Sequence, residues 1–211
     1  VSSSAASDVY KRQVLYFSLF TMDVDGGIMI TASHNPPDYN GFKASIGKNV
    51  LSSNQIQELK ILIRKKDYII PTEKGSIEKI YMIDNYIDDL NKRISISKKI
   101  RVGIDCANTP IGLFANKVFT KLGCESYILF EEPDGNFPNH HPDPSIESNL
   151  SSLKDLVLEK KLDIGIAFDG DGDRLGVIDN EGCFISPDII LLILAKSILA
   201  SNPEAKIIGE V

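Results

Sequence analysis

Apolar positions along this chain follow two rhythms, and the change from one to the other marks the elements. Val14 to Phe20 and Gly27 to Thr31 are short apolar runs that read as buried strands, with Asp25-Gly26-Gly27 as the turn between them. Ser52-Ser53-Asn54-Gln55 offers a capping box, and Ile56, Leu59, Leu62 and Ile63 then recur at helical spacing. A second helix is predicted over Met82 to Arg93, followed by a polar, basic linker at Ser95 to Lys99. Beyond it the pattern alternates. Strands are expected at Ile100–Cys106, Cys124–Phe130, Leu162–Phe168 and Leu175–Asp179. Helices are expected from Thr109-Pro110 to the stop at Gly123, from Ser148 to Lys160, and from the Ser186-Pro187 cap to Ala200. The apolar run at 162–168 is of the kind buried on both faces of a sheet, and the length of the apolar stretch from Asp188 to Ala200 fits a buried helix. Strand, helix, strand, helix, strand predicts an α/β protein with mixed, largely parallel sheets flanked by helices.

The ends depart from this pattern. VSSSAASDVYKRQ, residues 1–13, is small, polar and aperiodic, and reads as a leader foreign to the fold. Lys206 to Val211 reads as a strand just begun, so the chain is expected to be a piece of a longer one. A length of 211 residues suffices for one large domain or two ordinary ones. A formal charge of −6 without a basic stripe argues against nucleic acid. No apolar stretch approaches the ~20 residues that span a bilayer, no secretory signal is present, and a cytoplasmic protein is expected. Cys106, Cys124 and Cys183 lack CxxC spacing, so buried, inert thiols are expected rather than a zinc site or disulfides.

Two clusters carry chemistry. In GIMITASHNPPDYNGFK, residues 27–43, an apolar run delivers Ser33 into a loop stiffened by Pro36 and Pro37. A hydroxyl held with so little freedom suits an attacking or phosphate-carrying group, although serine also serves simply as a turn residue. The GxSxG elbow of hydrolases is absent. The second cluster is Asp169-Gly170-Asp171-Gly172-Asp173-Arg174, directly after a predicted strand. Three carboxylates at alternate positions repel one another unless a cation lies among them, and hard oxygen ligands suit Mg²⁺. A calcium-binding EF-hand loop is excluded, because position 6 is Arg174 rather than glycine and position 12 is Asn180 rather than glutamate. Arg174 supplies a fixed cation able to grip a phosphate. A phosphorylated Ser33 facing a dication on the aspartates would unite the two clusters.

Residues 31–43 and 169–174, with Gly135 to Pro144, resemble the α-D-phosphohexomutase family of the phosphomannomutase/phosphoglucomutase type. The resemblance runs from Val14 to the end. It implies an isomerase that moves phosphate reversibly between the 1 and 6 positions of a hexose phosphate, through a phosphoserine and a bisphosphorylated sugar. Ser33 would carry the phosphate and join Asp169, Asp171 and Asp173 around Mg²⁺, with a hexose 1,6-bisphosphate as activator and intermediate. Lys43 would exchange a proton with the sugar hydroxyl and, with Arg174, contact substrate; His34 and Asn35 would shape the loop. His140 and His141 are expected to stabilise their own loop rather than bind metal. Four domains are typical of the family. Residues 14–97 then correspond to the later part of the first, 98–202 to the second, and 203–211 to the opening strand of the third. Sugar-recognition and phosphate-clamping segments have no counterpart here, so this stretch alone is expected to be inactive. Asn108-Thr109-Pro110 stands where the family more often has Asn-Gly, read as tolerated loop variation. Alternatives are a phosphoglucosamine mutase, a metal-dependent phosphatase, or a non-catalytic metal-binding fragment. Sugar preference and oligomeric state are not legible.

Overall fold

The computed structural model describes residues 11–31, 39 and 41–209. Its first element corrects an expectation. Val14 to Phe20 is not a strand but part of a helix, α1, Lys11–Thr21. A short apolar run fits either element, and tertiary contact decided between them. Leu15 and Leu19, one helical turn apart, both reach the backbone of Gly27 on the next strand. The Ser18 and Thr21 hydroxyls donate back to the carbonyls of Val14 and Phe17, four residues earlier. The boundary placed after residue 13 falls inside this helix.

Strands β1 (Gly26–Thr31), β2 (Gly41–Ile46) and β3 (Asn49–Val50) form an antiparallel sheet in that order. The largely parallel character expected throughout is therefore not met here. β1 and β2 are joined through residues 32–40, so they pair as a hairpin, with Thr31 opposite Gly41 and Met29 opposite Lys43. Helix α2, Ser53–Lys65, carries the capping box: Ser52 Oγ accepts from the Gln55 N–H, and the Gln55 side chain accepts from the Ser52 N–H. Its apolar stripe, Ile56, Leu59, Leu62 and Ile63, stays exposed. Helix α3 spans Ile83–Arg93.

The second sheet has five strands: β4 (Arg101–Asp105), β5 (Glu125–Leu129), β6 (Ile164–Phe168), β7 (Leu175–Asp179) and β8 (Phe184–Ile185). Their order is β5-β4-β6-β7-β8. β5, β4 and β6 run parallel, and β7 and β8 are added antiparallel. Helix α4 (Gly112–Lys121) covers one face and α5 (Ser151–Lys160) the other. β6 lies between two apolar clusters. Ala167 joins Leu153, Val157, Leu162 and Ile178, while Ile164, Ile166 and Phe168 pack with Val102, Ile104, Ile111 and Ala115. That double burial is what its nearly continuous apolar sequence predicts.

Three further differences concern burial and the C-terminal end. Helix α6, Pro187–Ser201, has Ala195 as its buried residue and leaves Leu192, Ile193 and Leu194 exposed, contrary to the burial expected from its composition. Residues 205–209 form no strand, there being no neighbouring strand among the described residues to complete its hydrogen bonds. Cys106 is buried, and its thiol is pushed up to about 12 chiefly by that burial, but Cys183 is exposed. No helix among the described residues is long and apolar enough to cross a membrane.

The carboxyl end of β4 anchors the long loop that follows β5. Asp105, fully buried, accepts the Ala107 N–H at 2.8 Å and faces Nε2 of His140 at 3.0 Å. The other ring nitrogen, Nδ1, lies 2.9 Å from the His141 carbonyl. Both nitrogens thus meet acceptors, the bonding pattern of an imidazolium. The Asp105 bond accordingly holds His140 above its ordinary value, against the opposing effect of burial. Asn139 donates to the Asn108 side chain, which in turn donates to the Glu132 carbonyl. The turn from β4 into α4 is strained: Ala107 and Asn108 have φ of 47° and 54°, and the buried Thr109 hydroxyl meets no hydrogen-bond partner among the described residues. The departure at Asn108-Thr109-Pro110 therefore carries a cost, on the order of 1–3 kcal/mol for the hydroxyl alone.

Two outcomes follow for stability. Replacing His140→Ala strands the buried Asp105 and should cost about 3 kcal/mol in urea unfolding at neutral pH. Because folding raises the His140 pKa, its contribution is full below the ordinary value of 6.5 and fades as pH rises through the higher folded one. The wild type should lose stability across that window, and the variant should show a flatter profile. Thr109→Val removes the unpartnered hydroxyl at nearly constant shape, and an increase of about 1 kcal/mol is expected in the same measurement.

Candidate active site

The turn from β6 into β7 brings three carboxylates together. Asp169, Asp171 and Asp173 each offer an oxygen, and these atoms lie within 4.8 Å of one another. Asp169 and Asp171 are 1% and 3% exposed, whereas Asp173 is open to solvent. Gly172 permits the turn, with φ of +65° and the Ile111 side chain against it, where a side chain would meet both strain and collision.

Asp169 is the hub. Its Oδ1 accepts the backbone N–H groups of Asp173 at 2.9 Å and Arg174 at 3.0 Å, and its Oδ2 accepts Nε of Arg174 at 2.9 Å. Burial foremost, with Asp171 close by, holds its carboxyl above the ordinary value against the opposing pull of the backbone and side-chain bonds from Arg174. Arg174 also reaches Asp143 Oδ1 at 3.2 Å through Nη1. The Ser145 hydroxyl foremost, then its backbone N–H and Arg174, hold Asp143 below the usual carboxylate range against the opposing effect of burial.

Lys43 arrives from the other sheet. Its position on β2 carries Nζ to 2.8 Å from Asp171 Oδ2. That contact joins residues 128 positions apart and brings the β1–β2 hairpin against the carboxylate loop. Gln13 of α1 adds a second tie, donating from Nε2 to the Gly172 carbonyl at 3.1 Å.

Of the residues singled out from the sequence, Lys43, Asp169, Asp171, Asp173 and Arg174 converge. Ser33, His34 and Asn35 lie outside the described residues. His140 is engaged with Asp105 rather than with the carboxylate loop, in keeping with a loop-stabilising role. Gln13 and Asp143 were missed. Gln13 stood in the stretch set aside as a leader, and Asp143 lay in a loop without periodicity. Only its place in the family-like Gly135 to Pro144 stretch hinted at a role.

The donor set fits a hard dication. Three carboxylate oxygens converge on one point, two come from buried groups, and lysine and arginine stand beside them as counter-charge.

Two family models match the chain. One is described as phosphoglucomutase/phosphomannomutase, alpha/beta/alpha domain I, over residues 6–69, and the other as domain II of the same family, over residues 84–182. The phosphomannomutase/phosphoglucomutase of Pseudomonas putida is 44% identical over 197 residues, covering 93% of this chain and 42% of that protein. A phosphoglucomutase of Neisseria gonorrhoeae is 42% identical over 198 residues, covering 94% of this chain and 43% of its own length. A crystal structure of a phosphoglucomutase/phosphomannomutase family protein from Burkholderia thailandensis superimposes with a TM-score of 0.79 at 40% identity. It covers 86% of this chain and 39% of that one. The chain thus spans about two fifths of the length of these relatives, and both of its halves match the same family. The chain belongs to the phosphoglucomutase/phosphomannomutase family.

Proposed function

We propose that this chain provides the phosphoserine and metal-binding parts of a phosphohexomutase acting on glucose or mannose phosphates. The observation that carries the reading is the Lys43–Asp171 contact, because it brings the hairpin that brackets Ser33 to the carboxylate loop. In sequence Ser33 stands two residues past Thr31, the last residue of β1, and Thr31 pairs with Gly41 at the start of β2.

In this reading Asp169, Asp171 and Asp173 hold Mg²⁺ together with the phosphate on Ser33. The ion supplies neutralisation of phosphate charge and polarisation of the oxygen that bridges serine and phosphorus. A sugar hydroxyl then attacks phosphorus as the bond to Ser33 Oγ breaks, and the sugar becomes a bisphosphate. The bisphosphate turns over and returns its other phosphate to Ser33, so the net change is an isomerisation. The hydroxyl that attacks must surrender a proton. Lys43 would take it as a neutral amine released from Asp171, since a base acts in its neutral form. Arg174, forked between Asp143 and Asp169, keeps donors to spare for a phosphate oxygen. His34 and Asn35 shape the phosphoserine loop, hexose 1,6-bisphosphate primes the serine, and the setting is cytoplasmic.

The test is phosphate on Ser33. The full-length protein that carries this chain, incubated with Mg²⁺ and glucose 1,6-bisphosphate, should show phosphate by mass spectrometry on the peptide holding Ser33, and should pass it to added hexose monophosphate. Ser33→Ala should abolish labelling and reduce turnover by about 10³-fold or more. An unmodified Ser33 in a folded, Mg²⁺-binding protein would instead favour the non-catalytic reading. Release of phosphate to water would favour a phosphatase, and preference for glucosamine phosphate a phosphoglucosamine mutase.

A further inference from the structure

Asp143 lies in the loop between β5 and α5, 26 positions before the first aspartate of the carboxylate loop, yet it meets Arg174 there. Two observations distinguish it from an ordinary surface partner. The first is that Arg174 is bonded on both sides. Nε donates to Asp169 at 2.9 Å while Nη1 reaches Asp143 at 3.2 Å, so one guanidinium spans a buried carboxylate and a loop carboxylate. The second is that Asp143 is itself held firmly. Its Oδ1 accepts the Ser145 N–H at 3.1 Å and the Ser145 hydroxyl at 2.6 Å, and its carbonyl accepts from Asn149 at 2.9 Å. Upstream, His140 on Asp105 and Asn139 on Asn108 fasten the same loop to the end of β4. A long side chain with many rotamers is thereby gripped by an acceptor that has little freedom of its own.

From this geometry we infer that Asp143 is a positioning residue for the carboxylate loop. It holds the Arg174 guanidinium in the orientation in which Nε meets Asp169 Oδ2, so that the three aspartates are arranged before a dication binds. The inference rests on the dication reading given under Proposed function and extends it to a residue outside the loop. Its physical basis is preorganisation: a ligand whose outer partner is fixed need not be ordered when the ion arrives, and loss of such a partner typically weakens metal binding by about 10–100-fold. Among the described residues, Asp143 and Asp169 are the carboxylates that pair with the partly exposed Arg174.

The alternative is that Asp143 merely caps its own loop through Ser145 and Asn149. Asp143→Asn separates the two roles, because an amide oxygen still accepts from Ser145 but no longer offers Arg174 a charge. Three quantities are compared between the full-length protein that carries this chain and this variant of it. They are the Arg174 Nε–H resonance without metal (assigned by its loss in Arg174→Lys), the Kd for Mg²⁺ by calorimetry, and the urea midpoint. The expected result is an Arg174 resonance broadened by exchange and a Kd raised about tenfold, with the midpoint nearly unchanged. Ser145→Ala loosens Asp143 while keeping its charge, and should give a smaller rise in Kd; it serves in place of the first variant should that one unfold. A sharp Arg174 resonance and a Kd within twofold of wild type would overturn the inference and leave the dication reading standing. Absence of Mg²⁺ binding in the wild type would overturn both.

Discussion

Placing three carboxylates within 4.8 Å of one another, two of them buried, is the constraint on which the arrangement of this protein turns. At an effective dielectric of about 20, two such charges repel by roughly 3 kcal/mol, before any cost of leaving water. The surrounding structure answers that repulsion in several ways at once. The turn directs two backbone N–H groups at Asp169, Arg174 folds back on it, and Lys43 approaches Asp171 from another sheet. Each is a positive or partly positive group brought to a fixed point. The result is a site in which three carboxylates are held close together by groups drawn from separate parts of the chain.

The same need links parts of the chain that share no sheet. Lys43 belongs to the antiparallel hairpin, Gln13 to the helix packed beneath it, and Asp143 to the loop after β5. All three end on the turn between β6 and β7 or on the arginine that closes it. The loop after β5 is steadied in turn by His140 and Asn139 at the end of β4. Order at the carboxylates is therefore supported by bonds that begin well outside the loop. The strained left-handed residues at 107 and 108 sit at the β4 end of that support.

Much of this was legible beforehand because it rests on short-range chemistry. The capping box at Ser52, the strand at 175–179, the helix ending near residue 160 and the double burial of β6 follow from local spacing and from apolar runs of suitable length. The aspartate-glycine repeat after a strand marked three carboxylates in advance, and the structure brings one oxygen of each together. Where local signals were ambiguous the reading failed. Val14 to Phe20 fits strand or helix equally, and in the structure it is a helix whose Leu15 and Leu19 lie against Gly27. The helix to Ala200 is apolar enough to be buried, but burial depends on a neighbouring surface, and among the described residues it has little.

The sequence by itself singled out the candidate groups: a serine in a stiffened loop, a lysine ten residues later, and three aspartates followed by an arginine. Residue type and spacing suffice for that, since charge, hydroxyl and glycine act over a few bonds. Tertiary structure alone decided that Lys43 meets Asp171 across 128 positions and that Asp143, rather than solvent, holds the far side of Arg174. Those partners depend on how two sheets and a long loop pack, and no local pattern encodes a contact whose halves are ordered by different elements.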